Sequence, residues 1–156
     1  MYSTVEEIRL MLKEHVLESF LSNDFYEITD PAEKERITVS VVKDAILDAD
    51  AEINGYLGKR YPLPLMAVPK AISKYSKDIA IYNLASRSGM KSDERENNYY
   101  VRYKNAIRYL EMLAKGIVDL DMGDTLAGQQ TPVSRPSDFR IQSSPKIFGR
   151  ENMKGY

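Results

Sequence analysis

The sequence predicts an all-α protein, with a four-helix body over residues 1–116 and a long extended C-terminal arm over residues 117–156. Three observations lead there. Apolar residues recur at spacings of three and four in four successive stretches, the period of a helix that buries one face. Clusters of Gly, Pro, Asn and Ser, rather than strand-like alternation, separate those stretches. Periodicity then ceases after Gly116, and the forty residues that follow hold three of the seven prolines, Pro132, Pro136 and Pro145. So long an aperiodic stretch exceeds an ordinary loop and reads as an arm that is either disordered alone or ordered by docking.

The first helix starts from Thr4-Val5-Glu6-Glu7, the form of a capping box, and runs from Val5 to Leu17 or Phe20. Val5, Ile8, Leu12 and Val16 make its buried stripe. Ser22 to Arg36, which includes Asn23, Asp24, Asp30 and Pro31, reads as a connection pinned by Phe25, Tyr26 and Ile28. The second helix is capped at or near Thr38 and buries Val39, Val42, Ile46, Ala49, Ile53 and Tyr56 or Leu57. Asp48, Asp50 and Glu52 fall on its solvated side. Gly55 and Gly58 weaken its end by about 1 kcal/mol each relative to alanine, which assigns them to termination or close approach.

Pro62 and Pro64 fix an extended connector, and Pro69 suits the first position of the third helix. That helix carries Ile72, Tyr75, Ile79, Tyr82 and Leu84 or Ala85 inward and ends at Ser88-Gly89. A polar loop from Lys91 to Asn98 leads to the fourth, whose inner stripe is Tyr99, Tyr103, Ala106, Leu110 and Leu113, with Gly116 as its stop. In the arm, Phe139-Arg140-Ile141-Gln142 has the pattern of one short strand. Phe139, Ile141, Ile147, Phe148, Met153 and Tyr156 are anchors that a purely solvated tail does not need.

With 156 residues, 43% of them hydrophobic and 29% charged, the chain has the size and balance of one domain with an ordinary core. It has no cysteine, which excludes disulfide scaffolds, thiolate zinc sites, iron–sulfur clusters and cysteine nucleophiles. The single histidine, His15, has no GxSxG or HExxH context to support a triad or a two-histidine metal site. Two SxxK matches, at Ser40 and Ser143, lack the partner motifs of that chemistry. Asp48-Ala49-Asp50-Ala51-Glu52 opens like a calcium loop but has Ile53 and Lys59 where glycine and glutamate are required. Asp119, Asp121 and Asp124 form a solvated turn, with at most weak surface-cation binding. The expectation is a protein without enzymatic activity, cofactor or metal. Neither a signal peptide nor an apolar run of membrane-spanning length is present.

Charge distribution says more than its total of −1. Residues 1–50 hold twelve acids and five bases, a net −7, whereas residues 51–116 hold six acids and twelve bases, a net +6. Two oppositely charged segments can draw copies together head to tail, closing a ring if the rotation closes, or can pair within one molecule. A different use of the same region is a single-stranded nucleic-acid platform, since Tyr99, Tyr100, Tyr103 and Tyr109 interleave with Arg102, Lys104, Arg108 and Lys115. Helical spacing puts Tyr99 and Tyr103 on the core stripe and favours packing and protein contacts.

Ala45-x-x-x-Ala49-x-Ala51-Glu52-Ile53-x-x-Tyr56-Leu57-x-x-Arg60-Tyr61-x-Leu63-Pro64-Leu65 resembles a family of Mu-like phage and prophage proteins. The likeness continues through Val68-Pro69, Asp78-Ile79-Ala80-x-Tyr82-x-Leu84-Ala85 and Arg102-Tyr103-x-x-Ala106-Ile107-x-x-Leu110. It resumes in Phe148-Gly149-Arg150-Glu151-Asn152-Met153-Lys154-Gly155-Tyr156 and, with Tyr2-x-Thr4 and Ile28-Thr29-Asp30, spans almost the whole chain. The resemblance implies a virion-morphogenesis protein similar in helical organisation to head-tail connector, or head-completion, proteins that form a ring below the portal. Its implied partners are further copies of itself and the portal or a neighbouring connector or tail protein. No membrane is involved, and nucleic acid is met only through the ring lumen. Its implied location is the virion, after assembly in the host cytoplasm. The candidate interface residues are Arg60 and Tyr61, which serve either as cap and core or as partner contacts, and Phe148, Arg150, Met153 and Tyr156, of which Phe148, Met153 and Tyr156 enter apolar pockets of a neighbouring subunit or adjacent ring. A tail-assembly protein or chaperone absent from the finished particle shares these features.

Overall fold

The structure is a computed structural model and describes residues 1–88 and 94–120. The expected C-terminal arm beyond residue 120, with its expected strand at 139–142, lies outside the described residues. Among the described residues the fold is all-α with five helices: α1 (Val5–Met11), α2 (Glu14–Phe20), α3 (Pro31–Leu57), α4 (Lys70–Arg87) and α5 (Glu94–Lys115). The three long helices α3, α4 and α5 pack against one another, while α1 lies against α3 and α4, and α2 against α4.

The expected capping box is formed. The Thr4 hydroxyl accepts from the Glu7 amide at 3.3 Å, and the Glu7 carboxylate accepts from the Thr4 amide at 3.0 Å. The single first helix, however, is two helices, separated by extended backbone at Leu12 (φ −103°, ψ 135°) and Lys13 (φ −67°, ψ 141°). Two apolar registers explain the break. Ile8 and Leu17 lie nine positions apart and, at about 3.6 residues per turn, would face opposite ways on an unbroken helix. Breaking at Leu12 buries both, and Phe20 and Leu21 join them in the core.

The second expected helix begins at Pro31, not near Thr38. The Asp30 carboxylate accepts from the Ala32 amide at 3.1 Å as N-cap, and Pro31 takes the first turn, where its missing N–H costs nothing. Thr38 sits mid-helix and returns its hydroxyl to the Lys34 carbonyl at 2.8 Å. Of the three residues expected to anchor the connection, Phe25 packs on the core, Ile28 is half-buried, and Tyr26 is 90% exposed. Val39 is also turned outward, because the stripe runs through Thr38, Val42, Ala45, Ile46, Ala49, Ile53 and Leu57.

Asp50 and Glu52 are not on a solvated face. Asp50 is 8% exposed and accepts from the Tyr2 amide at 3.1 and 3.2 Å and from the Ser76 hydroxyl at 3.1 Å. Ser76 also shares a 2.8 Å hydrogen bond with Ser3, and the Tyr2 hydroxyl reaches Asn54. A buried carboxylate needs such partners. They tie the start of the chain to α3 and α4.

α5 ends as expected at Gly116, whose φ of 71° is left-handed. Its amide donates to Leu113 at 3.0 Å and the Ile117 amide to Met112 at 2.9 Å, the paired bonds of a Schellman cap.

Candidate protein-interaction surface

Gly58 caps α3, and the amides of Arg60 and Tyr61 both return to the Leu57 carbonyl at 2.9 Å. An added Cβ at Gly58 would meet the Asn54 carbonyl at 3.1 Å, so close approach accounts for this glycine. Nothing lies within 4 Å of a Cβ at Gly55, which sits on the exposed face of α3; close approach does not account for it.

The turn aims Arg60 across the fold. Its guanidinium donates to the carbonyls of Leu113 at 3.0 Å and Val118 at 3.3 Å and pairs with Asp119 at 2.8 Å. A cation on the last carbonyls of α5 also suits the helix dipole. Tyr61 is buried and its hydroxyl accepts from the Leu120 amide at 3.0 Å. Together the two residues clamp residues 113–120, the last described stretch of the chain. Asp119, grouped in sequence with Asp121 and Asp124, is committed to this clamp. Of the six candidate interface residues the structure brings together Arg60 and Tyr61; Phe148, Arg150, Met153 and Tyr156 lie outside the described residues.

The opposed charges of the two segments stay largely at the surface. Among the described residues two ion pairs join the acidic first segment to the basic middle one, Lys77–Glu7 at 3.3 Å and Arg87–Asp24 at 2.8 Å. Arg9 pairs with Glu35 inside the first segment at 2.7 Å; this holds the Glu35 carboxyl below its usual range. In the middle segment, Lys74 and Arg102 both engage Asp78, whose side chain is fully buried. Glu14, Glu18, Asp44 and Asp48 on one side, and Lys59, Lys70 and Arg108 on the other, are exposed and make no ion pair among the described residues.

Tyr75, Tyr82, Tyr99, Tyr103 and Tyr109 serve helix packing. Tyr82 stacks on Tyr103 at 4.3 Å, Tyr75 lies 4.7 Å from Tyr109, and Phe20 meets Tyr99 edge-on at 6.0 Å. The Tyr103 hydroxyl donates to Glu52 at 3.1 Å, and burial, with the Glu52 charge behind it, pushes its pKa up to about 12. Of the set that would contact nucleic acid, Arg102 is committed to Asp78, while Tyr100, Lys104 and Arg108 remain exposed.

His15 is exposed on α2, and no cluster of His, Asp and Glu able to hold a metal ion occurs among the described residues. No described helix is long and apolar enough to cross a membrane. Among the described residues, a cleft of about 760 Å³ lies beside the N-terminal segment and α4, and another of about the same volume lies between α1, α2 and the start of α3. Sequence reasoning missed the second cleft, because it depends on the break at Leu12. The clearest available signal was that Leu17 and Leu21 fall off the Ile8 stripe.

The sequence model of the family described as "Bacteriophage Mu, Gp36" matches residues 10–139. The chain is 28% identical over 124 residues to "Mu-like prophage FluMu protein gp36" of Haemophilus influenzae, covering 80% of this chain and 81% of that protein. It is 27% identical over 117 residues to "Gene product J" of Escherichia phage Mu, covering 75% and 76% respectively.

Proposed function

This chain belongs to the Bacteriophage Mu Gp36 family of phage and prophage proteins, and we propose on that premise that it is a structural morphogenesis protein acting as a head-tail connector. It works by contact alone, assembling as a ring at the head-tail junction, with the portal or a neighbouring connector or tail protein as its further partner. The observation that carries this reading is the surface division of charge. Residues 1–50 carry a net −7 and residues 51–116 a net +6, and among the described residues most acids of the first segment, with Lys59, Lys70, Lys104 and Arg108 of the second, make no ion pair. An acidic patch on one copy and a basic patch on the next make a heterologous contact, the kind that generates rings. The clamp at Arg60 and Tyr61 supports the reading too, since it fixes the point from which an arm can reach a neighbour.

Deletion of residues 139–156 in the phage or prophage tests it. Particles should accumulate as unjoined heads and tails, while circular dichroism of the purified variant shows an unchanged helical body. Normal yields of joined, infectious particles from that deletion contradict the reading.

A further inference from the structure

The helices α3 and α5 pack on each other, and each keeps an outer face uncovered among the described residues. On α3, Asp44, Leu47, Asp48, Ala51 and Gly55 are exposed, Leu47 by 46%. On α5, Val101, Lys104 and Arg108 are exposed, Val101 by 47%. Asp44, Asp48, Lys104 and Arg108 make no ion pair among the described residues. Gly55 marks the same α3 face: glycine inside a helix costs stability relative to alanine, yet nothing lies within 4 Å of a Cβ there. What glycine offers on an open helix face is close approach of a second backbone.

The two faces match in sign, spacing and order. Asp44 and Asp48 stand one helical turn apart, about 6 Å, and so do Lys104 and Arg108. With the helices antiparallel, the register that sets Arg108 on Asp44 and Lys104 on Asp48 also sets Val101 on Ala51. A parallel register brings Glu111 to that place instead. We propose that α5 of one copy docks antiparallel on α3 of the next in this register. Ala51 and Gly55 admit the neighbouring helix to an ordinary packing distance of about 8–10 Å. Exposed ion pairs add little affinity, so Leu47 and Val101 supply the attraction and the charges fix register and reject wrong pairings. Each copy offers one face and receives the other, which repeats head to tail. Nucleic acid would use Lys104 and Arg108 alone, whereas a second copy also accounts for the acids, Val101 and Gly55. This contact rests on the assembly reading above and names the faces that carry it.

Charge reversal in the full chain tests it. Asp44→Lys with Asp48→Lys in one variant, and Lys104→Glu with Arg108→Glu in another, should each weaken self-association in low-salt sedimentation at least about tenfold without changing the circular dichroism. Mixing the two variants should restore oligomers, because every contact in an alternating assembly then pairs opposite charges. The chain has no cysteine, so Ala51→Cys in one copy and Val101→Cys in another should give a disulfide-linked dimer on mild oxidation. Oligomers that survive both reversals and give no such dimer overturn the docking and leave the assembly reading standing. Single-stranded DNA whose binding is lost with Lys104→Glu and Arg108→Glu, while oligomers persist, gives the α5 face to nucleic acid and overturns the docking too. Failure of the parent chain to form any oligomer removes both readings.

Discussion

The guanidinium of Arg60 donates to the carbonyl oxygen of Leu113 at 3.0 Å, so the turn that ends α3 closes the end of α5. Arg60→Ala leaves the carbonyls of Leu113 and Val118 without this donor and frees Asp119. The loss of three charge-assisted hydrogen bonds, one of them to the exposed Asp119, should cost about 3 kcal/mol or more in urea unfolding. Arg60→Lys should recover less than half of it, because an ammonium cannot reproduce the fork that reaches three oxygens. Equal stability of the lysine variant and the parent would contradict this role.

Asp78 is the second junction, its side chain fully buried between Lys74 and Arg102. The two cations are partly solvated, whereas the carboxylate is not. Arg102→Ala strands a buried charge with one remaining partner and should cost about 3 kcal/mol. Asp78→Ala lets both cations turn to water and should cost less than Arg102→Ala in the same unfolding experiment. The reverse order would show that the hydrogen bonds, not the buried charge, set the energetics.

Gly55 lies on the exposed face of α3 with open space around it. Gly55→Ala should raise stability by about 1 kcal/mol through helix propensity alone. Thermal melting at fixed concentration checks this, and a loss of stability would reveal a backbone demand at this position.

Tyr103 gives a pH dependence of definite sign. Its pKa in the folded chain is about 12, above the ordinary value of 10.0. The folded chain therefore keeps a proton that the unfolded chain releases. Its contribution to stability is full below pH 10 and is lost as pH rises from about 10 toward 12. Urea unfolding at about pH 9 and about pH 11 should show a smaller decline for Tyr103→Phe than for the parent chain. Parallel declines would contradict the assignment.

The long helices were legible in the sequence because each carries one apolar stripe in a single register: Val42 to Leu57, Ile72 to Ala85, Ala106 to Leu113. The end of α5 was legible too, since Gly116 does what glycine does at such a stop. What escaped notice has physical reasons. Asp30-Pro31 reads equally as a loop or as a cap followed by a first turn, and its hydrogen bond to Ala32 decides between them. Asp50 lies between Ile46 and Ile53 on the buried face, but its partners Tyr2 and Ser76 are 48 and 26 positions away, beyond any local pattern. For the surface, the charge division was visible in the residue counts of the two segments, whereas the cleft between α1, α2 and the start of α3 requires the break at Leu12.

The central claim is that copies of this chain assemble through their oppositely charged segments. Sedimentation of the full chain at about 50 mM and about 1 M salt tests it most directly, because the screening length falls to about 3 Å at the higher value. A closed oligomer at low salt that shifts toward monomer at high salt is the predicted result. A monomer at both, over the same range of protein concentration, would contradict it.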